Sequence, residues 1–348
     1  MKRILTLVLA LVLCIGCCSA LAEKVGVSMP TQDLQRWVQD GDNMKKELEE
    51  NGYEVMLTYA ANNVATQIAD LENMITNGCN VQVIASIDGG SLGTVLKDAK
   101  EKGIMVVAYD RLLMDTPDVD YYATFDNYKV GVIQASYIIE KFDLDNTDKT
   151  FRMEVFAGSP DDNNARFFYA GAMDKLQKYI DEGKLVVTSG QSDFETCAIL
   201  GWGTPDAQTR MDNLLAAYYT DGSFPDLVLS PNDSLAMGIA NSLEAAGCPI
   251  ENFPVITGQD CDKANMKNII AGKQSMSVFK DTRTLAAQVV EMVNAYLLGD
   301  DVPVNDEGTY DNHVKVVPSF LCDPVFADIN NYVELLIESG YYTEDDLK

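Results

Sequence analysis

Histidine is almost absent from this sequence, and its scarcity limits the chemistry that the protein can perform. The only histidine among 348 residues is His313, which lies in a polar segment before a predicted strand. A catalytic triad or general base that depends on histidine is therefore disfavoured. The nucleophile-elbow, P-loop and H-E-x-x-H zinc motifs are also missing. The first predicted strand is followed by Met29-Pro30-Thr31-Gln32, without the glycines of a dinucleotide site, so we expect no cofactor and no enzyme.

Positive charge is scarce as well. The chain has 26 Lys and Arg residues against 53 Asp and Glu residues, which gives a formal net charge of −27. A chain of this charge is repelled by phosphate backbones and by anionic lipid headgroups. We therefore expect neither a nucleic acid nor an anionic membrane surface as its partner.

The cysteines form no recognisable framework. Three of the eight fall within the first 22 residues, and the other five show no C-x-x-C spacing. An odd number without that spacing fits neither a set of disulfides nor a zinc site, although it leaves one disulfide open. Most of the five are expected to be buried thiols that behave as small hydrophobic residues. They are Cys79, Cys197, Cys248, Cys261 and Cys322.

Residues 1–22 have the pattern of an export signal rather than of a folded element. A basic start at Lys2 and Arg3 precedes an apolar run, and Ala20-Leu21-Ala22 is a small-x-small cleavage site. A lipid anchor on Cys17 or Cys18 is the alternative reading. Either way, the protein is expected in the periplasm or on the extracellular face. No later run of about 18 apolar residues predicts a membrane span.

From residue 23 onwards, short apolar runs alternate with amphipathic stretches, which predicts an α/β protein with parallel sheets. The number of strands is too large for one small sheet and favours two doubly wound, Rossmann-like domains. Near the end we predict a strand at Val314–Val317 and a last helix at Asp328–Glu338. Crossings between the domains are expected near residues 125–127, 280–281 and 304–312. The predicted division is 23–126 plus 281–308 for the first lobe and 127–280 plus 309–348 for the second.

Conspicuous polar residues fall where predicted strands end. The buried run Val106-Val107-Ala108-Tyr109 stops at Asp110-Arg111, an acid and a base side by side. In open α/β sheets, ligands bind beyond the carboxyl ends of the strands. A carboxylate accepts and a guanidinium donates hydrogen bonds, so the pair can clamp hydroxyls that do both. A solvated ion pair is the plainer reading of this stretch taken alone.

The polar residues at the strand ends of both halves, taken together, favour a carbohydrate site. Planar Asp, Asn, Gln and Arg side chains recur, with one tryptophan, Trp37 or Trp202, in each half. A sugar ring needs paired donors and acceptors around its hydroxyls and an aromatic plate against its C–H face. Each residue alone also has an ordinary explanation as a helix cap, a turn or a core residue.

The same segments carry a resemblance to a known family, and they span nearly all of the chain after residue 22 in order. The sequence resembles the bacterial periplasmic sugar-binding proteins, which are type I substrate-binding proteins and include multiple-monosaccharide-binding and xylose-binding members. The resemblance implies two Rossmann-like domains joined by three hinge crossings, with the sugar between them. It rests on Arg36-Trp37, Val83-Ile84-Ala85-Ser86-Ile87-Asp88-Gly89, Ala108-Tyr109-Asp110-Arg111, Tyr122-Ala123-Thr124-Phe125-Asp126-Asn127, Gly158-Ser159-Pro160-Asp161-Asp162-Asn163-Asn164-Ala165, Gly258-Gln259-Asp260 and Phe279-Lys280-Asp281-Thr282.

Carried over by position, the resemblance implies eleven ligand-binding residues. The xylose-binding pattern differs in two places: it has Lys where Arg166 stands, and its aromatic plate lies in a loop spaced differently from residues 197–203. The implied residues are Arg36, Trp37, Asp110 and Arg111 from the first domain, Asp162, Asn164, Arg166, Trp202, Asn232 and Asp260 from the second, and Lys280 at a hinge.

The function implied is capture of a monosaccharide, an aldopentose or aldohexose such as xylose, glucose, galactose or arabinose. The sugar would then pass to the membrane permease of an ABC transporter. A sugar sensor read by a chemoreceptor or a sensor kinase is an alternative that the sequence does not separate. A hydrolase that uses Asp110 and Asp162 as paired carboxylates is a third, and it would need one raised pKa.

Asp110 gives the first test. We expect Asp110→Ala to abolish sugar binding while the fold survives, because a buried carboxylate that anchors hydroxyls has no substitute there. Calorimetric titration measures the affinity, and circular dichroism checks the fold. A loss of less than tenfold, about 1.4 kcal/mol, would show that Asp110 is not an anchor.

Overall fold

Two parallel sheets packed against helices organise the computed structural model, which describes residues 23–348. The predicted leader over residues 1–22, with its candidate lipid sites Cys17 and Cys18, lies outside the described residues. Within residues 23–348, no helix is both long enough and apolar enough to cross a bilayer. All five cysteines in that range are buried and free, so the disulfide that the sequence left open is not formed there.

The first sheet has six parallel strands, and its middle strands are buried at every residue because helices cover both faces. Its helices are α1 (Gln35–Glu50), α2 (Val64–Thr76), α3 (Gly93–Glu101) and α10 (Thr282–Leu298). Its strands are β1 (Lys24–Met29), β2 (Glu54–Tyr59), β3 (Val81–Ile84), β4 (Met105–Tyr109), β5 (Tyr121–Phe125) and β11 (Ser319–Cys322). They lie in the order β2-β1-β3-β4-β5-β11, and we call this sheet with its helices lobe 1.

The second sheet has four parallel strands in the order β7-β6-β8-β9, namely β6 (Phe151–Val155), β7 (Leu185–Val187), β8 (Leu227–Leu229) and β9 (Val255–Ile256). A separate antiparallel pair, β10 (Met276–Phe279) with β12 (Val325–Asp328), accompanies it. The helices are α4 (Asn127–Lys141), α5 (Asn163–Asp181), α6 (Phe194–Cys197), α7 (Thr204–Tyr218), α8 (Asp233–Ala245) and α9 (Lys263–Ile270). We call these elements, with residues 325–348, lobe 2.

Each lobe has its own core. In lobe 1, α1 and α10 pack on one face of the sheet, and α2 and α3 pack on the other. In lobe 2, a single large cluster joins the sheet to its helices, and a smaller cluster holds the end of the chain against α9 and β10. Two separate cores leave the facing edges of the sheets free to carry polar side chains.

The chain passes between the lobes three times, after β5, after β10 and after β11. The first two crossings lie where the sequence predicts them, near residues 125–127 and 280–281. The third was expected at residues 304–312, but it lies at Asp323-Pro324, between β11 and β12. Three crossings at one side of two lobes form the hinge that the resemblance implies.

The end of the chain departs from the sequence analysis. We predicted a strand at Val314–Val317 and gave residues 309–348 to the second lobe. Instead, the strand is β11, which starts after Pro318 and pairs in parallel with β5 in lobe 1. The predicted helix at Asp328–Glu338 is shorter, and it covers Val333–Glu338. The prediction relied on the β-branched residues before Pro318. The edge strand is instead formed by the segment after Pro318, which has a more mixed composition.

Tight packing between α4 and α5 yields a stability prediction. A Cβ on Gly131 would overlap the Phe168 carbonyl oxygen, so Gly131→Ala should destabilise lobe 2 by about 1–3 kcal/mol, as overpacking usually does. Thermal unfolding measures the effect. Gly93→Ala is the matched control, since a Cβ there meets nothing within 4 Å. Equal unfolding temperatures for the two variants would contradict the close approach of the helices.

Candidate functional site

A cavity lies where the carboxyl ends of the two parallel sheets face each other. The space left free between its lining side chains is small, about 30 Å³. Ten of the eleven predicted site residues line it. Its lining is Leu34, Arg36, Trp37, Asp110, Arg111, Asp162, Asn164, Phe168, Trp202, Asn232, Gln259, Asp260 and Lys280.

Asp110 makes the turn at the end of β4 that brings its side chain into the cavity. Its φ is 59°, in the left-handed region that Asp tolerates better than most residues. Its N–H donates to the Ala123 carbonyl at 2.8 Å. Its own carbonyl accepts hydrogen bonds from Thr124 Oγ1 at 3.1 Å and from Asn164 Nδ2 at 2.6 Å. Since Asn164 belongs to lobe 2, the peptide group of Asp110 directly links the two lobes.

Arg36 joins carboxylates of both lobes. Its Nη2 donates to Asp110 Oδ1 at 2.9 Å, and its Nη1 donates to Asp260 Oδ1 at 3.3 Å. Asp110 belongs to lobe 1, whereas Asp260 follows β9 in lobe 2. Lys280, at the second crossing, lies 3.1 Å from Asp260 Oδ1 and 3.8 Å from Asp110 Oδ1. Two cations and two anions therefore meet at one junction between the lobes.

A second ion pair also crosses the cavity. Arg111 Nε lies 3.0 Å from Asp162 Oδ2, while Arg111 Nη1 donates to the Ser86 carbonyl at 3.1 Å. Asp162 is the N-cap of α5, and its Oδ1 accepts from the Asn164 N–H at 3.0 Å. Each oxygen of Asp162 thus has its own partner, one in the helix and one across the cleft.

The charged groups of the cavity are balanced, with three cations and three anions in the lining. Burial alone would raise the pKa of Asp110, but Arg36, Lys280 and Arg111 together hold it below its ordinary value. Burial also acts against a charged Arg36, yet its carboxylate neighbours raise its pKa well above normal. Both groups are therefore ionised at neutral pH.

Burial raises the pKa of Asp162, and Arg111 only partly opposes this effect. The paired carboxylates of the hydrolase hypothesis, Asp110 and Asp162, thus differ in the direction of their pKa shifts. Both are nevertheless held in ion pairs with arginine.

The two tryptophans of the cavity come from different lobes. Trp37 is stacked against the guanidinium groups of Arg36 and Arg111, whose Cζ atoms lie 4.5 and 5.1 Å from the ring centroid. Trp202 packs edge to face with Phe168, with ring centroids 6.3 Å apart. The indole N–H groups of both tryptophans are buried without a protein partner. Buried donors of this kind are normally satisfied, so they point to a polar ligand.

The two ends of the Asn232 side-chain amide lie in different environments. Its Oδ1 caps α8 by accepting from the Leu235 N–H at 3.1 Å. Asn232 also lines the cavity. The capping role is confirmed, and ligand binding by Asn232 stays a prediction, for which the Nδ2 end is available because it makes no protein hydrogen bond among the described residues.

Asn164 lines the cavity, but its amide is largely engaged by protein groups. Its Oδ1 accepts from Asn127 Nδ2 at 2.9 Å, and its Nδ2 donates to the Asp110 carbonyl. The Tyr122 hydroxyl lies 2.9 Å from the same Oδ1. This residue is therefore better placed to connect the lobes than to bind a ligand by itself.

Arg166 does not reach the cavity. Its guanidinium is exposed, pairs with Glu195 at 2.9 Å and lies 4.4 Å from the ring centroid of Phe194. The reason is helical geometry, because residues two apart on a helix point to nearly opposite sides. Asn164 faces the cleft, so Arg166 faces away from it.

Three lining residues were not among the predicted site residues: Leu34, Phe168 and Gln259. Gln259 lies directly before Asp260, and its Nε2 donates to the Pro231 carbonyl at 3.1 Å while its Oε1 is buried without a partner. The strand-end rule that selected Asp260 could have included it. Phe168 follows Asn164 by four residues on α5, a spacing that places both on one face of the helix.

No group of three or more His, Cys, Asp and Glu side chains in residues 23–348 is arranged to hold a metal ion. The geometry instead serves to surround a small polar molecule. Cations, anions and aromatic plates from both lobes converge on one enclosed space, which defines a two-lobed protein of the solute-binding class.

Comparison with known proteins identifies the family. The model of the periplasmic binding protein domain matches residues 25–301. The chain is 50% identical to the multiple sugar-binding periplasmic receptor ChvE of Rhizobium radiobacter, over 93% of this chain and 92% of that protein. It is 36% identical to the D-xylose-binding periplasmic protein of Escherichia coli, over 99% and 98% of the two chains.

Solved structures agree. An ABC transporter solute-binding protein from Clostridium phytofermentans, with bound β-D-glucose, has 60% sequence identity and a TM-score of 0.91, over 94% of this chain and 100% of that one. The chain therefore belongs to the periplasmic binding proteins, and its resemblance to their multiple-sugar- and xylose-binding members is confirmed.

Gly158 allows a test of how Trp202 is held. A Cβ at Gly158 would overlap the Trp202 ring, so Gly158→Ala should push the indole outward. In a Trp37→Phe background, where Trp202 is the sole tryptophan, we expect its fluorescence to shift to longer wavelength.

Gly308→Ala is the control, because a Cβ there meets nothing within 4 Å. An unchanged emission maximum in Gly158→Ala would contradict the packing of Trp202 against Gly158.

Proposed function

We propose that this protein is an extracytoplasmic receptor for a neutral monosaccharide, which it captures between its lobes and delivers to the membrane permease of an ABC importer. The ligand class is an aldopentose or an aldohexose, such as xylose, glucose, galactose or arabinose. The protein itself performs no chemistry on the sugar. The observation that carries the proposal is the set of ion pairs that the two lobes share, together with the two tryptophans that line the same cavity.

The ion pairing in the cavity favours a neutral ligand. Each charged side chain of the lining already has an oppositely charged partner in the protein, so a charged ligand would add a buried charge without compensation, which is strongly unfavourable. A sugar hydroxyl can accept from a guanidinium and donate to a carboxylate at the same time, so it inserts into an Arg–Asp pair without changing the balance.

Aromatic groups support a ring-shaped ligand. Trp37 from lobe 1 and Trp202 with Phe168 from lobe 2 are the aromatic residues of the lining. An apolar C–H face of a pyranose or furanose packs well against such plates.

The relatives support the same class of ligand. One is named as a multiple sugar-binding receptor, another as a D-xylose-binding protein, and a structure with 60% identity contains β-D-glucose. All three names concern sugars, and two of them specify a monosaccharide, which supports a monosaccharide as the class of ligand.

The three crossings between the lobes support the delivery of the bound sugar to a permease. A ligand that contacts both lobes stabilises the closed arrangement and shifts a hinge equilibrium towards it. The permease would recognise the closed pair of lobes. A chemoreceptor or a sensor kinase could recognise the same surface. Both import and sensing require that the protein is exported to the periplasm or to the outer face of the cell.

A panel of sugars tests the proposal. We expect at least one of D-xylose, D-glucose, D-galactose and L-arabinose to change the tryptophan fluorescence and to give a saturable calorimetric signal, because both tryptophans line the cavity. Mannitol, an open-chain polyol, is the control and should bind far more weakly.

The recovered sugar should be chemically unchanged after long incubation. If none of the four sugars changed the fluorescence or gave a calorimetric signal, a monosaccharide site would be refuted. Chemical conversion of the sugar would indicate an enzyme.

A further inference from the structure

We propose that Asp40 is a positioning residue of the sugar site, which fixes the orientation of the Arg36 guanidinium without itself contacting the ligand. This inference rests on the proposed monosaccharide function. It adds a residue that neither the strand-end pattern nor the cavity lining contains, since Asp40 lies in the second turn of α1 and is fully buried.

The contacts between Asp40 and Arg36 are specific. Asp40 Oδ2 accepts from Arg36 Nε at 3.1 Å and from Arg36 Nη2 at 3.0 Å. The two residues are four apart on one helix, a spacing at which side chains meet. Two donors of one planar group bound to one oxygen define the plane of the guanidinium.

Tyr109 holds Asp40 from a second element. The Tyr109 hydroxyl donates to Asp40 Oδ1, and Tyr109 is the last residue of β4, directly before Asp110. Both oxygens of Asp40 therefore have protein donors, one set from α1 and one from the sheet. The result is a closed chain of contacts that runs from Tyr109 through Asp40 and Arg36 to Asp110.

Arg36 Nη2 is shared between Asp40 and Asp110, at 3.0 and 2.9 Å. If Asp40 lost its charge, Nε and Nη2 could both turn towards Asp110 and form a two-donor pair with it, the geometry that Arg and carboxylates prefer. Asp110 would then have less acceptor capacity left for a sugar hydroxyl. Asp40 therefore preserves ligand-binding capacity at Asp110 by drawing the guanidinium away.

Asp40 is also titratable in an accessible range. Burial raises its pKa to about 6, and Arg36 opposes this rise. The carboxylate is therefore charged at pH 8 and mostly neutral at pH 5. The hydrogen bond from Tyr109 lowers the pKa, so its removal should raise it further. The ionisable groups around Asp40 are Arg36 on its own helix, Tyr109 and Asp110 on or next to β4, Tyr59 on β2 and Tyr341 near the chain end.

The test compares three variants of the full chain by calorimetric titration with the sugar that the wild type binds, from pH 5 to pH 8. Asp40→Asn keeps the shape and removes the charge, so we expect at least a tenfold loss of affinity at pH 8. The loss should shrink towards pH 5, where the wild-type carboxyl is itself mostly protonated. Asp98→Asn, on the exposed face of α3, is the charge-matched control and should behave as wild type.

Tyr109→Phe keeps the charge of Asp40 and removes one hydrogen bond. We expect a smaller loss at pH 8, about threefold, and a midpoint of the affinity–pH curve shifted to higher pH than in the wild type. This shift is a readout that a general loss of packing would not produce. It also tests the proposal independently should Asp40→Asn fail to fold.

Two results would overturn the positioning role. One is wild-type affinity of Asp40→Asn at pH 8, and the other is a loss of the same factor at every pH. An unshifted midpoint in Tyr109→Phe would also count against it. A wild-type protein that binds no sugar of the panel would instead refute the proposed function, so the two failures are distinguishable.

Discussion

Buried charges that must be paired determine the arrangement of this protein. Arg36 is buried between Asp110 of lobe 1 and Asp260 of lobe 2, and Arg111 is paired with Asp162 across the same space. An unpaired buried charge costs several kcal/mol, so the closed arrangement requires both lobes to supply partners. Each lobe has its own hydrophobic core, and the cores reach the cleft through Trp37 on one side and through Phe168 and Trp202 on the other.

The lobes contribute to the cavity in different ways. Lobe 1 supplies side chains that brace one another, with Tyr109, Asp40, Arg36 and Asp110 in continuous contact. Lobe 2 supplies residues that begin helices, such as Asp162 and Asn232, whose oxygens cap α5 and α8. Helix N-termini hold such side chains in fixed positions and favour negative charge. Lobe 1 thus contributes a cluster of side chains that bind one another, and lobe 2 contributes side chains fixed by helix capping.

Much of this could be predicted from the sequence, because parallel strands place their following residues at one edge. That rule located Asp110, Asp162, Asn232 and Asp260 without any knowledge of distances. It failed for Arg166, since the helix that starts after β6 turns this residue away from the cleft. Asp40 gave no signal, because an i, i+4 Arg–Asp pair looks like an ordinary surface pair until burial is known. The third crossing was misplaced because the edge strand Ser319–Cys322 has no strong β-branched pattern.

Three cavity residues, Asp110, Trp202 and Asp260, adopt positive φ values of 59°, 58° and 96°. Such conformations are uncommon for residues with a side chain, and β-branched or bulky replacements fit them poorly. The amino acids that natural variation can place at these positions are thus few. A neighbour with an ordinary backbone, such as Gln259, accepts a wider choice of side chains, so changes in ligand preference are easier there. The backbone itself therefore sets which parts of the binding surface are free to evolve.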